Sequence, residues 1–435
     1  MLCLLLAHAF AAEPAHLSLD AALAELDAHN PSIARAEAGI ASAKGTQLVT
    51  TAGTLPTLSV GGGYVRNNEE VKFDLTELFD TLGEFAAMAG KDVPEAPDAM
   101  VLQPLDAWTG SASVRVPLLV PSTWASIAAT GHAVKAASAN AEATRDTLHG
   151  AAVQGVWGEA SAESFVSAQE GSVERAKKLV STAEKALASG TGTRLGLLQA
   201  QTDLARREGD LLTARAALTK ARLSVGALLG EDGPVAVDLP PAPNVATADE
   251  DGLVAQALKA RGEVRAAGEQ LEAAREQVLA VQLGAAPTVS GSFTGMASTQ
   301  PFTTGETTAW KATVDLSWPI LQGGLRAGNE QKARAAVADA EASLSAAKLQ
   351  VSQQVRSAAT DLGVAAERVE VTGRQRALAE EAAGVAQRGF ENGVNDVSTV
   401  LDALDRLDLA RASEIDARSR LGMADAALRA ATGRW

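Results

Sequence analysis

Cysteine is almost absent from this chain of 435 residues: Cys3 stands alone, so no intramolecular disulfide can form. Aromatic residues make up only 3%. That is too little bulky apolar volume for large globular cores, and it suits closely spaced helices joined by small side chains. Histidine occurs at five scattered positions, His8, His16, His29, His132 and His149, with no helical i, i+4 pair. A metal site is therefore not expected. No run approaches the ~20 apolar residues of a membrane-spanning helix. Positive charge is also scarce: 38 Lys and Arg face 53 Asp and Glu, a net charge of −15. This argues against a nucleic-acid partner and leaves an acidic surface, an acidic channel or a plain solvated helical face. No local motif assembles a Ser/His/Asp set, and Gly61–Gly63 has neither a GK[ST] sequence nor a following helix start. Neither catalysis nor a cofactor is expected; those glycines let a strand bend.

What the chain does have, it has twice. Pro56 opens Pro-Thr-Leu-Ser-Val-Gly and Pro287 opens Pro-Thr-Val-Ser-Gly-Ser, an offset of 287 − 56 = 231. Ile33 and Val264 share that offset. Trp108 and Val116-Pro117 answer Trp310 and Trp318-Pro319 at 202, and Gly190 answers Gly393 at 203. A unit of helix, strand, strand, long helix, turn and helix is duplicated, which constrains the whole architecture.

The first twelve residues are apolar and end in Ala9-Phe10-Ala11, the pattern of an export signal cleaved before Ala12 or Glu13. Cys3 would leave with it; a lipidated cysteine normally stands further along. Four segments then alternate strictly. Leu58, Val60, Gly62 and Tyr64 oppose Thr57, Ser59, Gly61 and Gly63; Trp108, Ala112, Val114, Val116 and Leu118 oppose Thr109, Ser111, Ser113 and Arg115. Val289, Phe293 and Ala297 oppose Thr288, Ser290, Ser292 and Thr294. Trp310, Ala312, Val314, Leu316, Trp318 and Ile320 oppose Lys311, Thr313, Asp315 and Ser317. Four such strands suit a transmembrane β-barrel, although a half-buried strand of a soluble sandwich alternates likewise. Tyr64, Trp108, Trp310, Trp318 and Trp124 fall near strand and helix ends, where a membrane interface places amphipathic rings. Four strands cannot close a barrel, so closure would require several chains.

The long helices, 122–189 and 324–392, would each run about 100 Å. The shorter ones, 18–53 (restarted at Asn30-Pro31), 195–230, 251–284 and 396–432, run about half that, so two stacked end to end match one long helix. Ala333, Ala336, Ala340 and Ala347 permit close helix packing. Gly155, Gly158, Gly171, Gly363 and Gly373 lower helix propensity and mark possible bends.

On these features, and on Gln322-Gly323-Gly324 and the turn Phe390-Glu-Asn-Gly393-Val-Asn-Asp396-Val-Ser-Thr-Val-Leu-Asp402-Ala, the chain resembles the TolC family of outer-membrane efflux proteins. The resemblance implies a mixed α and β fold: a duplicated helix-strand-strand-helix unit, four strands per chain in a trimeric 12-stranded β-barrel, a long α-helical barrel and a small mixed equatorial region. It implies a homotrimer in the outer membrane reaching into the periplasm. That trimer would be a passive exit duct for efflux or type I secretion, docked by a periplasmic adaptor onto an inner-membrane pump. The expected organisation is a signal at 1–12, tunnel helices at 13–55, a β-hairpin at 56–121 and tunnel helices at 122–230. A linker at 231–252, a helix at 253–286, a second hairpin at 287–322 and tunnel helices at 323–435 complete it.

The resemblance puts the periplasmic gate at Asp402, Arg194, Asn395 and Asp396, and the adaptor-docking turns at Gly190, Gly192, Phe390 and Gly393. It puts Tyr64, Trp108, Trp310 and Trp318 at the membrane interface. The family's second aspartate position reads Thr399, so a double acidic ring is in doubt, and the family's turn arginine survives only as Arg194. One carboxylate per chain around an axis would favour cations; the plainer reading is a carboxylate beside a helix N-terminus. The 67–107 loop, with helical periodicity at Leu75, Leu78, Phe79, Leu82 and Phe85, is a lid over the mouth or a surface decoration, and decoration is the expectation. The competing reading for the whole chain is an elongated periplasmic coiled-coil adaptor or scaffold without a pore. It is disfavoured because no lipoyl-like domain or second anchor is visible.

Overall fold

The computed structural model describes residues 16–91, 99–241, 243, 249–302 and 306–434. The segment expected to be an export signal, with Cys3 and His8, lies outside these residues. The chain forms two compact units. One comprises the chain up to Lys44, His132–Ala273 and Val337 to the C-terminus; the other comprises Gly45–Gly131 and Ala274–Ala336.

In chain order the elements are β1 (His16–Leu17), α1 (Leu19–His29), α2 (Pro31–Ala52), β2 (Thr57–Arg66), β3 (Val71–Phe73), α3 (Thr76–Met88), β4 (Met100–Gln103) and β5 (Asp106–Leu119). There follow α4 (Pro121–Ala188), α5 (Arg194–Leu229), β6 (Ala236–Val237), α6 (Glu250–Ala260), α7 (Gly262–Leu283), β7 (Thr288–Ser298), β8 (Thr308–Ser317), α8 (Leu325–Glu391) and α9 (Val397–Thr432). No helix of the described residues is long and apolar enough to cross a membrane.

The second unit is built on one antiparallel sheet in the order β2-β5-β7-β8. Its register keeps the two faces chemically separate. Leu58 lies opposite Val114 and Val114 opposite Phe293; Tyr64 lies opposite Trp108, and Leu316 opposite Val289. On the other face Ser59 pairs with Ser113 and Ser292 with Thr313, each with hydroxyl oxygens 2.7 Å apart. Neither face is covered by the described residues. Val60 and Val314 are three-quarters exposed, as is Trp310 at 72%. The outer edges of β2 and β8 are unpaired among the described residues. A flat row of free N–H and C=O groups on an exposed sheet edge is a template for pairing with another chain. Tyr64, Trp108 and Trp310 lie near the loop ends of their strands; Tyr64 and Trp108 have ring centres 4.9 Å apart, and Trp310 stacks at 6.0 Å on Phe293 in the middle of β7. Trp318 donates its indole N–H to the Ala285 carbonyl at 3.2 Å. Inside the long first loop, α3 occupies the segment of helical periodicity. The loop also contains β3 and β4, paired antiparallel, which its sequence does not announce.

The first unit is helical, with one small parallel pair, β1 with β6. Asn30 separates α1 from α2: its amide donates to the Leu228 carbonyl at 2.7 Å, and its side-chain oxygen caps Ser32 N at 2.8 Å. The helix expected over 251–284 is instead two, α6 and α7, broken at Arg261 in extended backbone. The break has two causes. A Cβ on Gly262 would stand 2.4 Å from the Ala139 carbonyl, so α7 starts in close contact with α4. The Arg261 guanidinium is meanwhile held by Glu263 at 2.6 Å and by the Ala430 carbonyl at 3.0 Å.

Buried alanine is abundant, as the close packing of helices requires. α4 and α8 run unbroken through every glycine expected to bend them. Gly155 instead admits Val225 and Leu228 of α5. The four alanines of α8 divide: Ala333 is buried, Ala340 and Ala347 are half-buried and Ala336 is exposed. α8 also exposes Val364, Val371, Leu378 and Val385 at successive intervals of seven residues. That is the spacing of a coiled-coil seam with no partner helix among the described residues.

Candidate functional site: the paired helical turns

The two interhelical turns of the first unit are copies at the level of single hydrogen bonds. After α4, Gly190 N donates to Leu187 O, and Thr191 N and Gly192 N both donate to Ala186 O. After α8, Gly393 N donates to Phe390 O, and Val394 N and Asn395 N both donate to Gly389 O. Every position is displaced by 203 residues. Gly190 (φ +78°) and Gly393 (φ +73°) take the left-handed conformation that ends a helix and that a side chain would strain.

Both following helices are capped from the turn. Thr193 Oγ1 accepts from Gly196 N at 3.1 Å, and Asp396 Oδ1 accepts from Thr399 N at 2.9 Å. Asp396 also accepts from the hydroxyls of Thr399 at 2.6 Å and Ser398 at 2.8 Å. The Thr399 hydroxyl and amide, with Ser398, hold its carboxyl at about 2. The turns rest on a cluster that draws on all four helices: Leu179 and Ala183 of α4, Ala200 of α5, Ala383 and Ala386 of α8, and Val397, Val400, Leu404 and Leu407 of α9. Val397 reaches toward Gly196, where a Cβ would meet it at 3.1 Å.

Against this frame the expected gate residues separate. Asn395 is half-buried, and its amide donates to the Ala386 carbonyl at 3.3 Å, so it braces the turn. Asp396 is a cap. Arg194 is exposed on the first residue of α5, where the helix macrodipole disfavours a cation. Asp402 is exposed; with Asn395, Thr399 and Arg406 it lines an open groove of ≈ 910 Å³ along α8 and α9. Neither Arg194 nor Asp402 forms an ion pair or side-chain hydrogen bond among the described residues. Phe390 is half-buried against the cluster and anchors the turn from within. Gly192 is packed so tightly that a Cβ would meet that of Ala186 at 2.9 Å. The surfaces left at the tips are Gly190, Gly393 and three exposed apolar side chains, Leu195, Leu198 and Val394.

The sequence reading does not include one charged cluster that joins these helices. Farther along the same helices, Arg207 is 4% exposed and contacts three carboxylates: Asp203 at 2.6 Å, Asp405 at 3.0 Å and Asp408. Arg206 joins Asp203 and Asp405, both at 2.6 Å, and Arg175 of α4 joins Asp408 at 2.5 Å. Ser172 donates to Asp408 at 2.8 Å. Burial pulls the Arg207 pKa down, but the hydrogen bond it donates to Asp203 and the charges of Asp408 and Asp203 outweigh it, leaving Arg207 above the ordinary arginine value. Arg175 goes the other way: burial outweighs the pull of Asp408. The signal was the ladder Asp402, Asp405, Asp408, spaced three apart on α9 and therefore along one face. Two of its carboxylates tie α9 to α4 and α5, and Asp402, nearest the turn, is the member of the ladder without a partner among the described residues. Elsewhere His132 meets Glu269 at 2.7 Å and His149 meets Asp27 at 3.0 Å. No group of His, Cys, Asp and Glu among the described residues is arranged to hold a metal.

Comparison with known proteins agrees with this architecture. No curated protein matches the sequence. Among solved structures, the chain is similar to the outer membrane protein VceC of Vibrio cholerae, with 20% identity and a TM-score of 0.73 over 95% of this chain and 96% of that one. It is similar to the MtrE outer membrane channel of Neisseria gonorrhoeae, with 16% identity and 0.75 over 96% and 89%. It is also similar to the CmeC outer membrane channel of Campylobacter jejuni, with 14% identity and 0.73 over 95% and 85%. At these identities the likeness is one of fold. The family model for outer membrane efflux proteins matches residues 22–231 and 253–434, and the chain accordingly belongs to the outer membrane efflux protein family, as an outer-membrane channel of efflux.

Proposed function

We propose that this channel works as a homotrimer: three chains close a 12-stranded barrel in the outer membrane, and their helices continue it as a passive exit duct into the periplasm. The observation that carries the reading is the four-stranded sheet, which exposes an apolar face, a polar face and two unpaired edges. A sheet of that kind is untenable in lipid unless its edges pair, because no water is there to satisfy them. Edge pairing of β8 with β2 of the next copy would turn the apolar face to lipid and the polar face to the bore. The unpartnered heptad seam of α8 supports association of the helices as well.

The paired turns are the periplasmic mouth in this reading. Asp402, repeated three times around the axis, would make an acidic ring that favours cations. Leu195, Leu198 and Val394, beside Gly190 and Gly393, offer the apolar tips on which a periplasmic adaptor docks to couple the duct to an inner-membrane pump. Asn395 and Asp396 act by holding the turn in shape, and Arg194 is free for an approaching carboxylate. Tyr64, Trp108, Trp310 and Trp318 sit at the membrane interface.

Membrane fractionation with native mass measurement tests the assembly. The expected result is release by detergent only, at three times the 44.5 kDa of the chain less its signal segment. Release by carbonate as a monomer would refute it.

A further inference from the structure

The polar face of the sheet carries a sign opposite to that of the whole protein. From the strand registers, that face consists mostly of small hydroxyl residues and glycines, with a few apolar side chains such as Val65 and Met296 near the loop ends, together with three charged side chains, Arg115 on β5 and Lys311 and Asp315 on β8. All three are exposed. Asp315 accepts a hydrogen bond from the Thr313 hydroxyl at 3.0 Å. Arg115 and Lys311 have no carboxylate partner among the described residues. Their positions explain this. Arg115 stands in the row Thr57–Arg115–Ser292–Thr313 and Lys311 in the adjacent row Ser59–Ser113–Thr294–Lys311. At about 3.4 Å per residue, Lys311 and Asp315 are about 14 Å apart along β8. The only other charged residues on these four strands, Arg66 and Asp106, pair with each other at 3.3 Å on the opposite face. The polar face therefore has a net charge of +1 (two cations less one carboxylate) in a chain whose net charge is −15.

We propose that Arg115 and Lys311 make the barrel lining anion-favouring, biasing passage through the membrane toward solutes that carry a negative charge. The inference rests on the duct reading above and gives its bore a selectivity. Twelve strands about 4.8 Å apart and tilted about 40° form a ring of about 12 Å backbone radius. Long basic side chains project several ångströms into that bore. The Debye length is about 10 Å at 0.1 M salt, so the field of the ring reaches the axis there. At 1 M it is about 3 Å and the field does not. The acidic ring proposed for Asp402 has the opposite preference. The effect of the lining is therefore read as a change between variants, not as an absolute selectivity.

The test is the reversal potential of purified protein in a planar bilayer across a KCl gradient. Arg115→Gln/Lys311→Gln should raise the ratio of potassium to chloride permeability about two- to threefold in 0.1 M salt, and the difference should vanish near 1 M. Asp315→Asn, which removes the one carboxylate, should move the ratio the other way. It serves as the second arm if the double variant does not insert. Wild-type channels with a ratio unmoved by either variant would overturn this inference and leave the duct intact. Wild-type protein that forms no channels would refute the duct itself.

Discussion

Arg207→Ala should loosen the join between α9 and the α4–α5 pair without disturbing the sheet. Arg207 and Asp203 are both buried, and Asp408 is four-fifths buried. Removing one partner of a buried ion pair costs about 3–5 kcal/mol, because the remaining charge is stranded. The low end applies here. Asp203 keeps Arg206 at 2.6 Å, and Asp408 keeps Arg175 and Ser172. About 3 kcal/mol is roughly a hundredfold in a local opening constant. Hydrogen exchange read by mass spectrometry on the purified protein should show protection falling about a hundredfold in peptides around 200–210 and 403–412, with peptides of β2, β5, β7 and β8 unchanged. Arg207→Lys, which keeps the charge but loses the planar fork, should fall between. A loss of less than about threefold in Arg207→Ala, or an equal loss in the strands, would refute the assignment of the cluster as a local tie.

Three further outcomes follow from named contacts. Asp396 has its carboxyl held at about 2 against an ordinary 3.8. The ionised cap is thus fully present above about pH 4 and lost as pH falls through 2. Exchange at the Thr399 amide, corrected for intrinsic rate, should rise over that window in the wild type. In Asp396→Asn, which cannot titrate, it should stay flat, and identical profiles would remove Asp396 from the cap. Asp402→Ala should alter conductance and weaken block by multivalent cations; unchanged values for both would take Asp402 out of the gate. Deleting 70–100, which removes α3 with β3, should leave conductance nearly unchanged, whereas a large increase would make that loop a lid.

The fold was legible wherever the duplication and local periodicity coincided. The strand faces could be read because alternation places every second side chain on one side, and the registers preserve that separation across four strands. The two turns could be read from Gly190 and Gly393, since a left-handed helix end calls for glycine. The break at Arg261 was not read, because no proline marks it. Its cause is tertiary: the close approach of Gly262 to Ala139. The offset of 231 that maps Pro31 onto residue 262 held that signal unused. The Arg207 cluster was invisible for a similar reason. Asp and Arg three or four apart on a helix look like a solvated face, and only a contact across some 200 residues shows them buried. Asp402 lies exposed along the groove of α8 and α9. Asn395 and Asp396 did not stay equivalent to it, because local hydrogen bonds commit both to the turn.

The central claim is that copies of this chain enclose a passive, water-filled pore. Single-channel recording after insertion of the purified protein into a planar bilayer tests it most directly. The account predicts discrete conductance steps from trimer insertion, sustained with no nucleotide present. A protein that binds the bilayer and never conducts, over a wide range of concentration and voltage, would contradict it.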